Sequence, residues 1–92
     1  MIVTLKTAKT YLRVDHDEDD VIIRRILKNA VQLCMDVGRF DSVQEFREQC
    51  REAKIAVLYA TAYLYEHREE ADHKALTFSL RALMEGSRKA VF

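Results

Sequence analysis

The chain has 92 residues, with 15 basic and 15 acidic side chains and a formal net charge of zero. This length allows one domain, and a hydrophobic content of 49% excludes an intrinsically disordered chain. Zero net charge argues against a general polyanion-binding protein. Two glycines and no proline argue against a many-stranded fold, which uses both in its turns. We therefore expect a single all-α domain over residues 1–92: a small bundle of about four helices with one long central helix.

Capping and periodicity predict the first two helices. Thr4 is the expected N-cap of a short helix over 5–12, whose apolar residues recur on one helical face. An acidic turn follows, and a second helix with an Ile/Leu-rich stripe is predicted over about 19–37. Gly38 stands just past its end, where a left-handed residue often terminates a helix.

A third helix is predicted from Ser42, which forms a capping-box pattern with Glu45, to about Arg68. It would be roughly 40 Å long at 1.5 Å per residue. Between residues 55 and 65 it is apolar almost all round, so each of its sides needs a cover. Two explanations stay open: the other helices of the chain cover this segment, or a neighbouring subunit covers part of it.

A charged break over 66–74 precedes a short last helix, predicted over 78–84 and ending at Gly86, and residues 87–92 are expected to form a mobile tail. The apolar stretch 55–65 is shorter than the roughly 20 residues that a membrane span needs. No secretory signal pattern stands at the start of the chain. Cys34 and Cys50 fit small buried hydrophobes in a reducing compartment. These features indicate a soluble, intracellular protein.

No catalytic or metal-binding pattern emerges from the sequence. The acidic turn resembles the start of an EF-hand calcium loop, but Asp20 and Ile26 stand where the loop needs Gly and Glu. We interpret these acids as residues favoured by the dipole at a helix N-terminus. His67 and His73 are six residues apart, which is wider than the usual spacing of zinc ligands on a helix. We predict no cofactor, no metal and no enzymatic activity.

Three segments carry a family resemblance. They are TLKTAKTYLRVD at 4–15, AVLYATAYLYEHRE at 56–69 and LTFSLRAL at 76–83. In this order they resemble the small gp6-like head–tail connector proteins of tailed phages and prophages. The chain departs from the family pattern at Thr77 and Ser79, where Pro and Gly are common, and at His67, where Asn is common.

The resemblance implies a structural protein of the virion, assembled in the bacterial host cytoplasm. Family members form a closed ring, expected to be dodecameric, on the portal protein. The ring extends the DNA channel and gives tail or head-completion proteins a docking surface. DNA is expected to pass without sequence-specific binding, and no membrane is involved. The alternative interpretation is a small helical nucleic-acid-binding protein for packaging or regulation.

A ring needs two complementary faces on each subunit. One candidate pair is electrostatic: the acidic turn of one subunit against a basic surface of the next. The second candidate is a set of tyrosine anchors. The predicted interface residues are Asp17, Glu18, Asp19 and Asp20 in the acidic turn, Arg24, Arg25 and Lys28 in the basic surface, and Tyr59, Tyr63 and Tyr65 as anchors.

Overall fold

The computed structural model of the protein describes residues 2–70 and 72–85, and all regular secondary structure in these ranges is helical. The prediction of an all-α fold is therefore confirmed. The predicted helix end at Gly86 and the predicted tail over 87–92 lie outside the described residues. The helices are α1 (Leu5–Leu12), α2 (Asp20–Gly38), α3 (Val43–Gln49), α4 (Ala53–Glu66) and α5 (His73–Leu83).

Side-chain caps fix the starts of three helices. The Thr4 side chain accepts a hydrogen bond from the backbone N–H of Thr7, and the Asp72 side chain accepts one from Ala75. Ser42 accepts from the N–H of Glu45 at 3.0 Å, as the capping-box pattern predicts. Each cap satisfies a backbone donor that has no partner inside its helix. The predicted bounds of α1 are confirmed, and those of α2 are shifted by one residue.

The left-handed residue at the end of α2 is Arg39, with φ 62°, and the prediction of Gly38 for this position is wrong. The next backbone N–H, that of Phe40, reaches back to the carbonyl of Met35 at 2.9 Å, which completes a Schellman motif. Gly38 lies inside the helix, at a position that has no room for a side chain. A Cβ atom there would stand 2.5 Å from a ring carbon of Phe40, whose side chain is buried.

The predicted helix over 42–68 is divided into α3 and α4. Cys50 interrupts it with an extended backbone, φ −101° and ψ 108°, and its side chain is buried. The break turns the chain so that Phe46 on α3 and Ala53 at the start of α4 both lie in the core. The sequence contains neither Gly nor Pro at this point, so the usual signals of a helix end were missing.

The last helix begins at His73, five residues before the predicted start at Phe78. Thr77 and Ser79, which replace the Pro and Gly common in the family, both lie within α5. A proline at 77 would have removed a backbone N–H from the helix interior. Because this chain has threonine there, the helix continues without interruption.

The core lies where α2 packs along α4, which is the most extensive contact between helices in the described chain. Helices α1 and α5 each contact both of them. The segment 55–65 is covered mainly by its own chain: five of its residues are buried, and Tyr63, Leu64 and Tyr65 pack against the core from its edge. The buried residues are Ala56, Val57, Leu58, Ala60 and Thr61. Ile55 and Tyr59 remain 61% and 37% exposed. The first explanation therefore accounts for most of the apolar surface of α4.

Cys34 and Cys50 carry reduced thiols and both are buried, as the sequence predicted. Burial raises the pKa of the Cys34 thiol to about 12, because the charged thiolate loses its hydration, and the nearby Cys50 adds to the shift. These cysteines pack as small apolar side chains.

Candidate subunit-contact surfaces

The acidic turn between α1 and α2 is held by one lysine. The Nζ atom of Lys9, on α1, lies 2.7 Å from an oxygen of Asp17 and 2.8 Å from Oδ1 of Asp20. The Asp20 oxygen is inaccessible to solvent and has no hydrogen bond of regular geometry from any described residue, so the ammonium group is what balances its charge. Lys9 itself is mostly covered, whereas Asp17 projects into solvent. The lysine thus joins the end of α1 to the start of α2.

The pKa values of two members of this group shift in opposite directions. The hydrogen bond to Asp17 and the close contact with the Asp20 carboxylate raise the pKa of Lys9 above its usual 10.5. The hydrogen bond from Lys9 and its positive charge lower the pKa of Asp17 below its usual 3.8. Both shifts favour the charged forms, as expected for an ion pair.

The third aspartate of the turn is joined to the end of α4. The hydroxyl of Tyr65 donates a hydrogen bond of 2.6 Å to Asp19, and the guanidinium of Arg68 lies 4.0 Å from the same carboxylate. Arg68 also stacks over the Tyr65 ring, 4.7 Å from its centre. Because the hydroxyl donates to a carboxylate, the pKa of Tyr65 is raised. Tyr65 and Asp19 therefore connect two parts of the same chain.

The three candidate tyrosines occupy different environments. Tyr63 exchanges hydrogen bonds of 3.2 Å with the backbone of Asp72 and stacks on the ring of His67, with 4.2 Å between ring centres. It thereby fixes the turn between α4 and α5. Tyr59 is the most exposed of the three. The sequence placed them together as anchors, but the structure leaves only Tyr59 on the outer surface.

The predicted basic surface is present on α2, where Arg24, Arg25 and Lys28 are exposed. Arg24 and Lys28 stand beside a groove of about 520 Å³ between α2 and the residues that precede α1. The groove is lined mainly by apolar side chains, including Val3, Leu27, Val31 and Met35. The acidic turn and the basic surface are thus adjacent in the sequence, since the turn leads into α2 and the basic residues lie on α2.

Several exposed apolar residues were missed by the sequence interpretation. Phe78 on α5 is 75% exposed, and Val21 and Ile22 at the start of α2 are 66% and 40% exposed. A correct start for α5 would have indicated Phe78, because Leu76 and Leu80 then define a buried stripe that leaves Phe78 on the other side. The apolar stripe of α2 gave no indication that Val21 and Ile22 would be exposed.

Residues 2–70 and 72–85 contain no group of three or more His, Cys, Asp or Glu side chains arranged to hold a metal ion. His67 uses its Nδ1 atom within the chain, 2.9 Å from the carbonyl of Tyr63. Among the described helices none is long and apolar enough to cross a membrane. The candidate contact surfaces described above consist of charged and apolar side chains.

Comparison with known proteins supplies the family. The sequence model of the phage gp6-like head-tail connector proteins matches residues 2–89. No curated protein and no solved structure matches the chain. Because the family match covers nearly the whole chain, the protein belongs to the phage gp6-like head–tail connector family.

Proposed function

We propose that copies of this chain form a closed dodecameric ring at the portal vertex of a phage or prophage particle. The ring joins head to tail and extends the DNA channel, as the portal protein contacts one side and tail or head-completion proteins contact the other. The match of residues 2–89 to the connector family carries this proposal. The protein is then a structural component of the virion, assembled in the bacterial host cytoplasm.

The predicted contact residues divide into two groups under this proposal. Asp17, Asp19 and Asp20 are paired within one chain, and so are Tyr63 and Tyr65. We assign these residues to stabilising the fold of one subunit, where α1 meets α2, where α2 meets α4, and at the turn after α4. The members that remain for contacts between subunits are Glu18, Arg24, Arg25, Lys28 and Tyr59, all of which are exposed.

A neutral conduit suits the passage of DNA. A strongly basic channel would bind the phosphate backbone and slow its movement, because each neutralised phosphate adds to affinity. The chain has equal numbers of acidic and basic side chains. We therefore expect DNA to move through the ring without sequence-specific binding.

Electron microscopy of the purified protein, with light scattering on the same sample, tests the ring. The expected result is ring-shaped particles with a mass near twelve times the 10.8 kDa of one chain, formed by the protein alone or on addition of the cognate portal protein. Absence of rings in both conditions would contradict the proposal.

A duplex-DNA mobility assay at about 50 mM salt separates this function from the nucleic-acid-binding alternative, because non-specific DNA binding is strongest at low salt. A connector subunit is expected to leave the DNA unshifted. A salt-dependent shift by the free subunit, together with absence of rings, would favour the alternative.

A further inference from the structure

The outer side of α4 carries a short apolar stripe that ends in an acidic residue. Ile55 and Tyr59 are 61% and 37% exposed, and Glu66 at the end of the helix is exposed. At 3.6 residues per turn these three residues lie within about 40° of one another around the helix. Lys54, the one basic residue of α4, lies about 100° away from Ile55, and Arg51 precedes the helix at the end opposite Glu66. We call Ile55, Tyr59 and Glu66 the α4 stripe.

The acidic end of the α4 stripe has no counter-charge within the described ranges. Glu69 and Glu70 follow Glu66 in the turn after α4, and all three are exposed and form no ion pair with another described residue. Arg68 in the same turn lies beside Asp19 instead. The last turn of α4 contains no basic residue, although negative charge is unfavourable at a helix C-terminus. This end of α4 therefore suits a positively charged partner.

The groove beside α2 has the opposite charge. Arg24 and Lys28 stand on its rim, its other lining residues are mainly apolar, and none of them is acidic. Neither side chain forms an ion pair with another residue of the described chain, and like charges four residues apart on a helix repel each other. Asp20, one turn before Arg24, is already bound by Lys9. The groove therefore suits an apolar segment that brings negative charge to one end.

Resting on the proposed ring, we infer that the α4 stripe of one copy docks in the α2 groove of the next copy. The occupant is a second copy because the chain carries both halves of the match: an apolar stripe with an acidic end and an apolar groove with a basic end. The two halves also have the same length. Arg24 and Met35 line the two ends of the groove on α2, eleven residues apart, and Ile55 and Glu66 have the same separation on α4. Eleven residues of helix span about 16 Å.

The charges set the direction of the contact. Glu66 meets Arg24 and Lys28, and Ile55 meets the apolar end of the groove at Met35, so the two helices run antiparallel. The arrangement brings the negative end of the α4 dipole to the cations of α2. Tyr59 enters the middle of the groove as an aromatic anchor. Because the stripe and the groove are different faces, the contact is head-to-tail, which a closed ring requires.

The two most exposed large apolar side chains of the described chain fit the groove less well. Phe78 lies between Lys74 and Arg81 on one side of α5, since these residues are four positions before it and three after it. Val21 lies on α2 itself, one turn before Arg24. Their basic neighbours would repel the positive rim of the groove.

Cross-linking with a water-soluble carbodiimide tests the contact on the unmodified sequence. The reagent joins a carboxylate to an amine only when the two groups are in direct contact. A mixture of unlabelled and ¹⁵N-labelled protein is treated under assembly conditions, with and without the cognate portal protein, and its peptides are identified by mass spectrometry. The expected product is a mixed-isotope link between Lys28 and Glu66, at least tenfold more abundant than any link between copies through Lys54, the exposed control lysine.

Charge reversal tests the same pairing by assembly. The groove variant carries Arg24→Glu and Lys28→Glu, and the stripe variant carries Glu66→Lys. Each variant alone is expected to need at least tenfold more protein to assemble than the unmodified chain. An equal mixture of the two is expected to assemble again, because alternating subunits restore opposite charges at every contact. Light scattering and electron microscopy measure both results.

Glu48→Lys is the matched control, since Glu48 is an exposed acid on α3, and it is expected to assemble like the unmodified chain. Melting curves separate assembly from folding. Glu66→Lys should keep or raise the melting temperature, because it places a positive charge at a helix C-terminus. Loss of assembly by this variant is then not a loss of the fold.

Normal assembly by the groove variant, or a mixture that assembles no better than its components, would overturn the inference. The same result is expected if two α4 stripes pair with each other, because the charges of α2 then have no role. Rings without the link between Lys28 and Glu66 would leave the proposed function intact and refute only the contact. The link without rings would support the contact and refute the closed ring, and absence of both would contradict both.

Discussion

Lys9 shows how one side chain organises the polar end of this small domain. It neutralises the solvent-inaccessible Oδ1 of Asp20 and at the same time binds the exposed Asp17. A buried carboxylate oxygen without a partner is costly, so the lysine is needed wherever α1 and α2 are packed as observed. The sequence shows five acidic residues in this turn. It does not indicate that Lys9, six residues before the first of them, contacts Asp17 and Asp20.

Replacing Lys9→Met should lower the stability of the protein at neutral pH, measured as a reduced urea midpoint. The effect depends on pH with a definite sign. Because the pKa of Asp17 is lowered in the folded protein, its contribution is present above the usual value of 3.8 and is lost as pH falls through the folded value. Because the pKa of Lys9 is raised, its contribution persists up to 10.5 and is lost above that.

The midpoint difference between Lys9→Met and the unmodified chain should therefore be largest near pH 7 and shrink below pH 4. Lys6→Met is the matched control, since Lys6 is an exposed residue of the same helix. A difference that is unchanged at pH 3 would mean that packing of the lysine stem, and not its charge, accounts for the loss.

At the scale of elements, the starts of α1 and α3 were predictable, whereas the start of α5 and the break between α3 and α4 were not. Thr4 and Ser42 act through local hydrogen bonds that depend only on neighbouring residues, so their caps follow from the sequence. The break at Cys50 and the position of Gly38 depend on what packs against them, namely the core around Phe46 and the ring of Phe40. Tertiary packing therefore determines the helix break at Cys50 and the need for glycine at position 38, which local sequence patterns did not indicate.

The end of α2 yields a paired prediction. Gly38→Ala should destabilise the fold by about 1–3 kcal/mol, because the new Cβ would meet the buried Phe40 ring at 2.5 Å. Arg39→Gly should have the opposite sign and stabilise by up to about 1 kcal/mol, because glycine adopts φ near 62° without steric cost. Thermal unfolding of the two variants measures both effects. A loss of stability in Arg39→Gly would contradict the second expectation, and an unchanged stability of Gly38→Ala would contradict the first.

At the scale of the whole molecule, some residues hold the fold of the chain, and others are left exposed for the contacts that we propose between subunits. The described chain is flat, with extents of 45 × 27 × 17 Å, so much of its surface belongs to broad sides. The hydrogen bond from Tyr65 to Asp19 depends on how the helices are stacked, and no local pattern encodes that stacking. The sequence therefore predicted the family and the all-α fold, but it grouped three tyrosines that occupy different environments.

Tyr65→Phe and Tyr59→Ala should separate these roles. Tyr65→Phe removes the hydrogen bond to Asp19 and should lower the melting temperature while leaving assembly of the folded protein unchanged. Tyr59→Ala should leave the melting temperature nearly unchanged, since the side chain is 37% exposed, and should weaken assembly, because we assign Tyr59 to the contacts between subunits. Melting curves and light scattering of both variants check this. A reversed pattern would contradict the assignment of Tyr65 to the subunit and Tyr59 to its surface.

The packing of α2 along α4 has a consequence for synthesis. The apolar side of α2, with Ile23, Leu27 and Cys34, is covered largely by a helix that begins at Ala53. While the ribosome holds residues 53–66, α2 lacks the helix that covers most of its apolar side. Translation at about 5–20 residues per second makes this interval at least on the order of a second. Several copies are translated at once from one messenger RNA, so nascent chains with exposed α2 surfaces lie close together. Completion of α4 covers these surfaces and prevents the chains from associating wrongly.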